Sequence, residues 1–205
     1  MSQLDEIRTA ITDDPSNAWA RNLGYAPLYS AAPTARIAII GQAPGRAAQE
    51  SGIAWNDPSG VRLRDWLGVS DEQFYDPATI ALLPMDFYYP GKGASGDLPP
   101  RADFAARWHP QILAELPDLR LTVLIGAYAQ RHYLGPDAKR TLTETVAAFR
   151  DFVPARIPLV HPSPLNFRWQ KKNPWFDTDV LPELKLLTAA AIAFPLVQSS
   201  DTSPT

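Results

Sequence analysis

Residues 36–45 read RIAIIGQAPG. Four apolar residues, three of them isoleucine, run without alternation into two glycines and a proline. Isoleucine is branched at Cβ and favours extended backbone. An unbroken apolar run too short for a helix points to a strand buried on both faces. Gly41 and Gly45 then permit a tight turn and let a ligand approach the backbone closely. The Gly-Lys-Ser/Thr ending of a phosphate-binding P-loop is missing, so for this segment alone a plain strand-to-loop connection is the simpler reading.

Working outward, three more runs have the same character: TIALLP (79–84), LTVLIG (121–126) and IPLV (157–160). Helical patterns fill the gaps. SGVRLRDWLG (59–68) offers Ser59 as an N-cap and Gly68 as a stop. DFAARWHPQILAEL (103–116) carries Pro110 as a kink or a new start. AYAQRHYLG (127–135) ends on glycine. TLTETVAAFRDF (141–152) opens with Thr141 and Glu144 at capping-box spacing, and DVLPELKLLTAAAIAF (179–194) has Pro182 in its first turn. Strands alternating with helices predict an α/β fold, a three-layer αβα sandwich around a central four-stranded parallel sheet. Ligands of such sheets bind beyond the carboxyl ends of the strands. Here those ends carry GQAPG (41–45), MDFYYPGKG (85–93), GAYAQ (126–130) and HPSPLN (161–166).

Composition narrows the classes. A chain of 205 residues fits one domain, expected over 1–195, with the polar tail 196–205 disordered. The absence of cysteine excludes disulfides, thiol nucleophiles and cysteine-ligated metal sites, and fits a cytoplasmic protein. MSQLDEIRTA lacks the basic start and apolar stretch of a secretory signal. No apolar run reaches the roughly 18 residues of a membrane span. A net charge of −3 argues against general coating of nucleic acid and leaves room for a local basic patch.

Several residues invite a chemical reading. Trp55 and Asp57 precede a helix: they suit a stacking platform and a polar catalytic group, or equally a core aromatic and a turn residue. FYYPGKG (87–93) sets two tyrosines and Lys92 at a strand end, where they suit phosphate and base contacts or ordinary packing. His161 closes the fourth strand and is followed by Pro162, Ser163, Pro164 and a leucine with nothing local to bury against. Arg168, Lys171 and Lys172 follow closely. Ser163 lacks the Gly-x-Ser-x-Gly elbow of a serine hydrolase. His109 and His132 lie within helical patterns as structural or surface residues, and three scattered histidines make no evident metal site.

Together, GQAPG and HPSPLN resemble motifs of the uracil-DNA glycosylase superfamily. HPSPL is similar to the leucine loop of the best-known uracil-DNA glycosylases. GQAPG stands between their Gly-Gln-Asp-Pro-Tyr and the Gly-Glu-Ala-Pro-Gly of the iron–sulfur branch. SGIAWNDPSGVRLRDWLG (51–68) also looks like that branch, and the resemblance runs from about 36 to 185. It implies a monofunctional DNA glycosylase of base-excision repair, a hydrolase that flips uracil or a related deaminated base out of DNA and cleaves its N-glycosidic bond.

The resemblance also implies roles. His161 would donate to a base carbonyl. Gly41, Ala43, Pro44 and Gly45 would surround the base, with Trp55 stacked on it. Leu165 would be the wedge that holds the duplex open, stiffened by Pro162 and Pro164. Ser163, Asn166, Arg168, Lys171 and Lys172 would meet the backbone. The partner would be DNA containing uracil or an abasic site, with no membrane, no cofactor and a monomeric protein.

Three departures stand out. The water-activating carboxylate of both patterns is gone, since Gln42 and Ala43 occupy those places, and Gln42, Asp57 and Asp86 are the candidates to replace it. No Asn ends the second strand, which leaves Asp86 to read the base. The four cysteines of the iron–sulfur branch are missing, so the chain has no ligands for that cluster. A protein that binds damaged or abasic DNA with little catalysis is the alternative. A small-molecule hydrolase or nucleotide-binding protein on the same layering is a third reading.

Overall fold

A computed structural model describes residues 1–94 and 96–193. The expected tail at 196–205, and the domain end at 195, lie outside the described residues. The four apolar runs form the strands β1 (Ile37–Ile40), β2 (Ile80–Leu82), β3 (Leu121–Ile125) and β4 (Arg156–Leu159). They pair in the order β2-β1-β3-β4, all parallel, with Ile37 opposite both Ile80 and Leu121, and Thr122 opposite Arg156. β1 and β2 are buried at every position, as continuous apolar runs require of strands covered on two faces.

The helices, in chain order, are α1 (Gln3–Asp13), α2 (Ala18–Asn22), α3 (Arg46–Ser51), α4 (Pro58–Leu67), α5 (Asp71–Tyr75), α6 (Phe104–Ala114), α7 (Gly126–Leu134), α8 (Leu142–Ala147), α9 (Phe167–Lys172) and α10 (Leu181–Ala193). Alternate strand residues face different layers. Ala38, Ile40, Ala81 and Leu124 pack with Ile7 and Ile11 of α1 and Trp108 and Ile112 of α6. Ile37, Ile39, Ile80 and Val123 pack with Leu63 and Trp66 of α4, Val146 of α8 and Leu184 of α10. The result is the expected three-layer α/β sandwich.

Local chemistry sets the helix ends, with some corrections to the sequence reading. The N-cap of α4 is Asp57 rather than Ser59: its carboxylate accepts from the Gly60 amide at 2.8 Å, and Pro58 fills the first turn. Gly68 ends that helix in the left-handed conformation. Pro110 lies inside an uninterrupted α6. The Thr141–Glu144 capping box forms, but α8 stops at Ala147 and a 3-10 turn follows. A π-helical turn, Phe176–Val180, leads into α10. The sequence reading passed over α1, whose start is a capping box between Ser2 and Asp5.

Beyond β2 the chain leaves the ladder but keeps its neighbour. Leu83 N donates to Ile39 O, Met85 N to Gly41 O and Asp86 N to Gln42 O, at 2.9, 2.8 and 3.1 Å. The loop after β1 is thereby fixed at the carboxyl edge of the sheet.

Candidate active site

That edge holds a cavity of about 210 Å³. Gly41, Gln42, Ala43, Pro44 and Gly45 form one wall, and Trp55, Asp57 and His161 close it from other elements. Eight positions singled out in the sequence therefore meet in one place. Leu28, Pro84 and the start of α3 also line it, and the sequence reading missed them. Leu28, Pro84, Ala47 and Ala48 are apolar and carry no chemical signature, and Arg46, the first residue of α3, is a lone cation that belongs to no motif.

Trp55 stands in the left-handed region at φ 57°, an uncommon conformation for a bulky residue. Three neighbours hold it there. The Tyr75 hydroxyl donates to the Trp55 carbonyl at 3.3 Å. A Cβ on Gly60 would lie 1.8 Å from that carbonyl oxygen, so only glycine fits beneath it. A Cβ on Gly41 would lie 2.9 Å from the indole, so β1 ends on a glycine where the ring lies against its backbone. The indole is half-buried and stacks on the His161 ring, with centroids 5.6 Å apart and planes at 28°.

His161 has a defined hydrogen-bonding state. Its Nδ1 accepts from the Ser163 amide at 3.1 Å, so a neutral ring carries its proton on Nε2. Burial pushes the His161 pKa below the ordinary 6.5, and the nearby Asp57 carboxylate pulls the other way without overcoming it. The ring is thus a neutral donor on the cavity wall. Asn166 braces the loop by donating to the His161 carbonyl at 2.8 Å. The Ser163 hydroxyl caps the following 3-10 turn, Pro164–Asn166, by accepting from the Leu165 amide at 3.2 Å.

This bracing leaves Leu165 projecting, 90% exposed, with Phe167 at the start of α9 also 60% exposed. Phe167 adds a second exposed apolar side chain at this point, and the sequence reading did not select it. Arg168, Lys171 and Lys172 lie exposed on the same short helix, outside any salt bridge among the described residues.

The carboxylates fare differently from expectation. Asp86 is wholly buried and does not line the cavity. Arg101 grips it with two bonds, Nε to Oδ2 at 2.7 Å and Nη2 to Oδ1 at 2.8 Å, and the Tyr88 amide donates to Oδ1 at 3.1 Å. With both oxygens occupied, Asp86 is a structural anchor and not a reader of a base. Asp57 does line the cavity; one oxygen caps α4, and the other accepts no hydrogen bond from the described residues. The Gln42 amide reaches toward the Leu98 carbonyl at 3.5 Å, a long contact that leaves the side chain available.

A neutral imidazole donor, an aromatic wall and a carboxylate thus stand together at the carboxyl edge of a parallel sheet, a set of groups whose chemistry suits a planar, carbonyl-bearing ligand. Residues 28–185 match the uracil DNA glycosylase superfamily. The match spans more than half of the chain, which therefore belongs to that superfamily, a group of DNA glycosylases acting on DNA. It begins before β1 and so takes in Leu28, the cavity residue furthest toward the N-terminus.

Proposed function

We propose that the protein is a monofunctional DNA glycosylase that flips uracil, or a related deaminated base, into the cavity beside His161 and hydrolyses its N-glycosidic bond. The observation that carries this reading is the neutral His161 donor, locked by the Ser163 amide beside Trp55 and followed by a projecting leucine. As the C1′–N bond breaks, its electron pair leaves with the base and the sugar becomes oxocarbenium-like. A hydrogen bond from His161 Nε2 to a base carbonyl strengthens as that charge grows, so it stabilises the transition state more than the ground state. Water then adds to C1′. Gln42 orients it, and its proton passes to the free oxygen of Asp57 or to solvent. Among the described residues no lysine lines the cavity, so an amine-bound sugar intermediate has no candidate lysine nucleophile among them.

Leu165, with Phe167 beside it, fills the gap left in the duplex, and Ser163, Arg168, Lys171 and Lys172 meet the phosphates. One observation favours the alternative, a binder of damaged or abasic DNA with little turnover: Asp57, the carboxylate on the cavity wall, is half committed to capping α4.

A duplex carrying one uracil, incubated with the protein and then treated with alkali, distinguishes them. Strand scission slowed by about 10²–10³-fold in His161→Ala is the expected result. An unchanged rate in that variant sinks the assignment of His161. No scission by the wild type, with a retarded band on a binding gel, supports the damage-binding reading.

A further inference from the structure

Next to the cavity runs a second groove of about 310 Å³ that the chemistry above does not use. Trp19 of α2, Tyr25 of the following loop and Tyr89 after β2 bring three aromatic rings to it, and Arg46 and Lys92 bring two cations. We propose that this groove holds the unpaired stretch of DNA flanking the flipped nucleotide, stacking its bases on Trp19, Tyr25 and Tyr89 with its phosphates on Arg46 and Lys92. The inference rests on the glycosylase reading for the identity of the strand.

Continuity is the first argument. Arg46 lines both the base cavity and the groove, so the two adjoin at that residue and a strand leaving one can enter the other there. The second is that the groove is built. Gln49 of α3, itself buried, accepts from the Tyr89 amide at 2.8 Å and donates to the Ala26 carbonyl at 2.9 Å. It thereby ties the two aromatic walls together. Tyr88, the neighbouring ring, is wholly buried and meets Trp19 edge-on at 5.9 Å, a packing role that leaves Tyr89 to the groove.

The third argument is chemical. A groove lined by aromatic rings together with cations suits unpaired bases, whose π-faces are accessible, better than a stacked duplex. Two carboxylates are also present. Glu50 meets Arg46 at 2.7 Å and Asp97 meets Lys92 at 3.6 Å, and the Tyr89 hydroxyl donates to Asp97 at 3.4 Å. Both ion pairs are solvent-exposed, the weak kind that a phosphate displaces readily.

The test compares two single-stranded substrates, a long oligonucleotide with central uracil and a trinucleotide with uracil in the middle. Trp19→Ala and the exposed Lys92→Glu are each expected to lose about 10-fold in kcat/KM on the long strand and little on the trinucleotide, which is too short to fill the groove. An equal loss on both substrates, or no loss on the long one, overturns the proposal. Should the wild type excise uracil from neither single strand, the duplex assay above decides the glycosylase reading, and anisotropy of a fluorescein-labelled uracil-free single strand reads the groove alone. Binding weakened about 10-fold by either variant then supports the groove, and unchanged binding overturns it.

Discussion

His161 and Asp57 show how one residue's state depends on another far away in sequence. The Ser163 amide decides which imidazole nitrogen bears the proton. Burial holds the ring neutral, and the Asp57 carboxylate opposes it. Asp57 has two separable duties, and substitution resolves them. Asp57→Asn keeps a side-chain oxygen for the Gly60 amide and removes the charge, so stability is expected to change by less than about 0.5 kcal/mol. In the same variant the acid limb of the pH–rate profile is expected to move to lower pH, because the group that favours imidazolium is gone. Asp57→Ala removes the cap as well and is expected to cost about 1 kcal/mol in urea unfolding. A limb that stays in place in the Asn variant argues that Asp57 does not act on His161.

At the scale of elements, the start of α4 is a packing problem solved by glycine. The turn that presents Trp55 folds its carbonyl over Gly60, and Tyr75 of α5 secures that carbonyl from the side. Tyr75 in turn accepts from Arg64 at 3.3 Å, and Arg64 pairs with Asp71 at 2.6 Å, so α4 and α5 together set the cavity wall. Gly60→Ala is expected to cost about 3 kcal/mol or more, because a methyl cannot share that space without moving the turn. Urea unfolding with tryptophan fluorescence measures it; a loss below about 1 kcal/mol means that the turn gives way easily. Tertiary crowding, not helix propensity, makes this glycine necessary, which is why the sequence shows only a Ser-Gly pair.

For the whole molecule, buried polar groups tie distant layers together behind the cavity. Arg101 joins Asp86 to Asn17, with Nη1 donating to the Asn17 side chain at 2.7 Å, so the N-terminal region is fastened to the edge of the sheet. His109 of α6, buried, links the Tyr133 hydroxyl at 2.6 Å to the carbonyl of the cavity residue Pro84 at 3.0 Å. Burial pushes its pKa from the ordinary 6.5 down to about 4. The folded value lies below the unfolded one, so between them the unfolded chain takes up a proton that the native ring refuses. His109 therefore contributes stability that is intact above pH 6.5 and is lost as pH falls toward 4, up to about 3 kcal/mol in all. Urea midpoints across that window are expected to fall, and His109→Gln to flatten the slope. An identical slope in the variant removes His109 as the cause.

The strands, their parallel sense and the loops at their ends were legible from local signals and the alternation of strand with helix, whereas the order β2-β1-β3-β4 came only with the structure. Unbroken apolar runs mark buried strands, and glycine and proline mark their ends. Two loop motifs, at 41–45 and 161–166, then sufficed to place a cavity and a projecting leucine. No helix among the described residues is long and apolar enough to cross a membrane. Tertiary structure alone decided the rest. A carboxylate at the end of a strand reads the same whether it will face a base or be gripped by an arginine fifteen residues on, and the fold gave Asp86 to Arg101. It likewise buried Tyr88 and left Tyr89 in a groove, and it set Trp55 in a left-handed turn. In each case the deciding partner comes from a separate segment, and only folding brings that partner within a few ångströms.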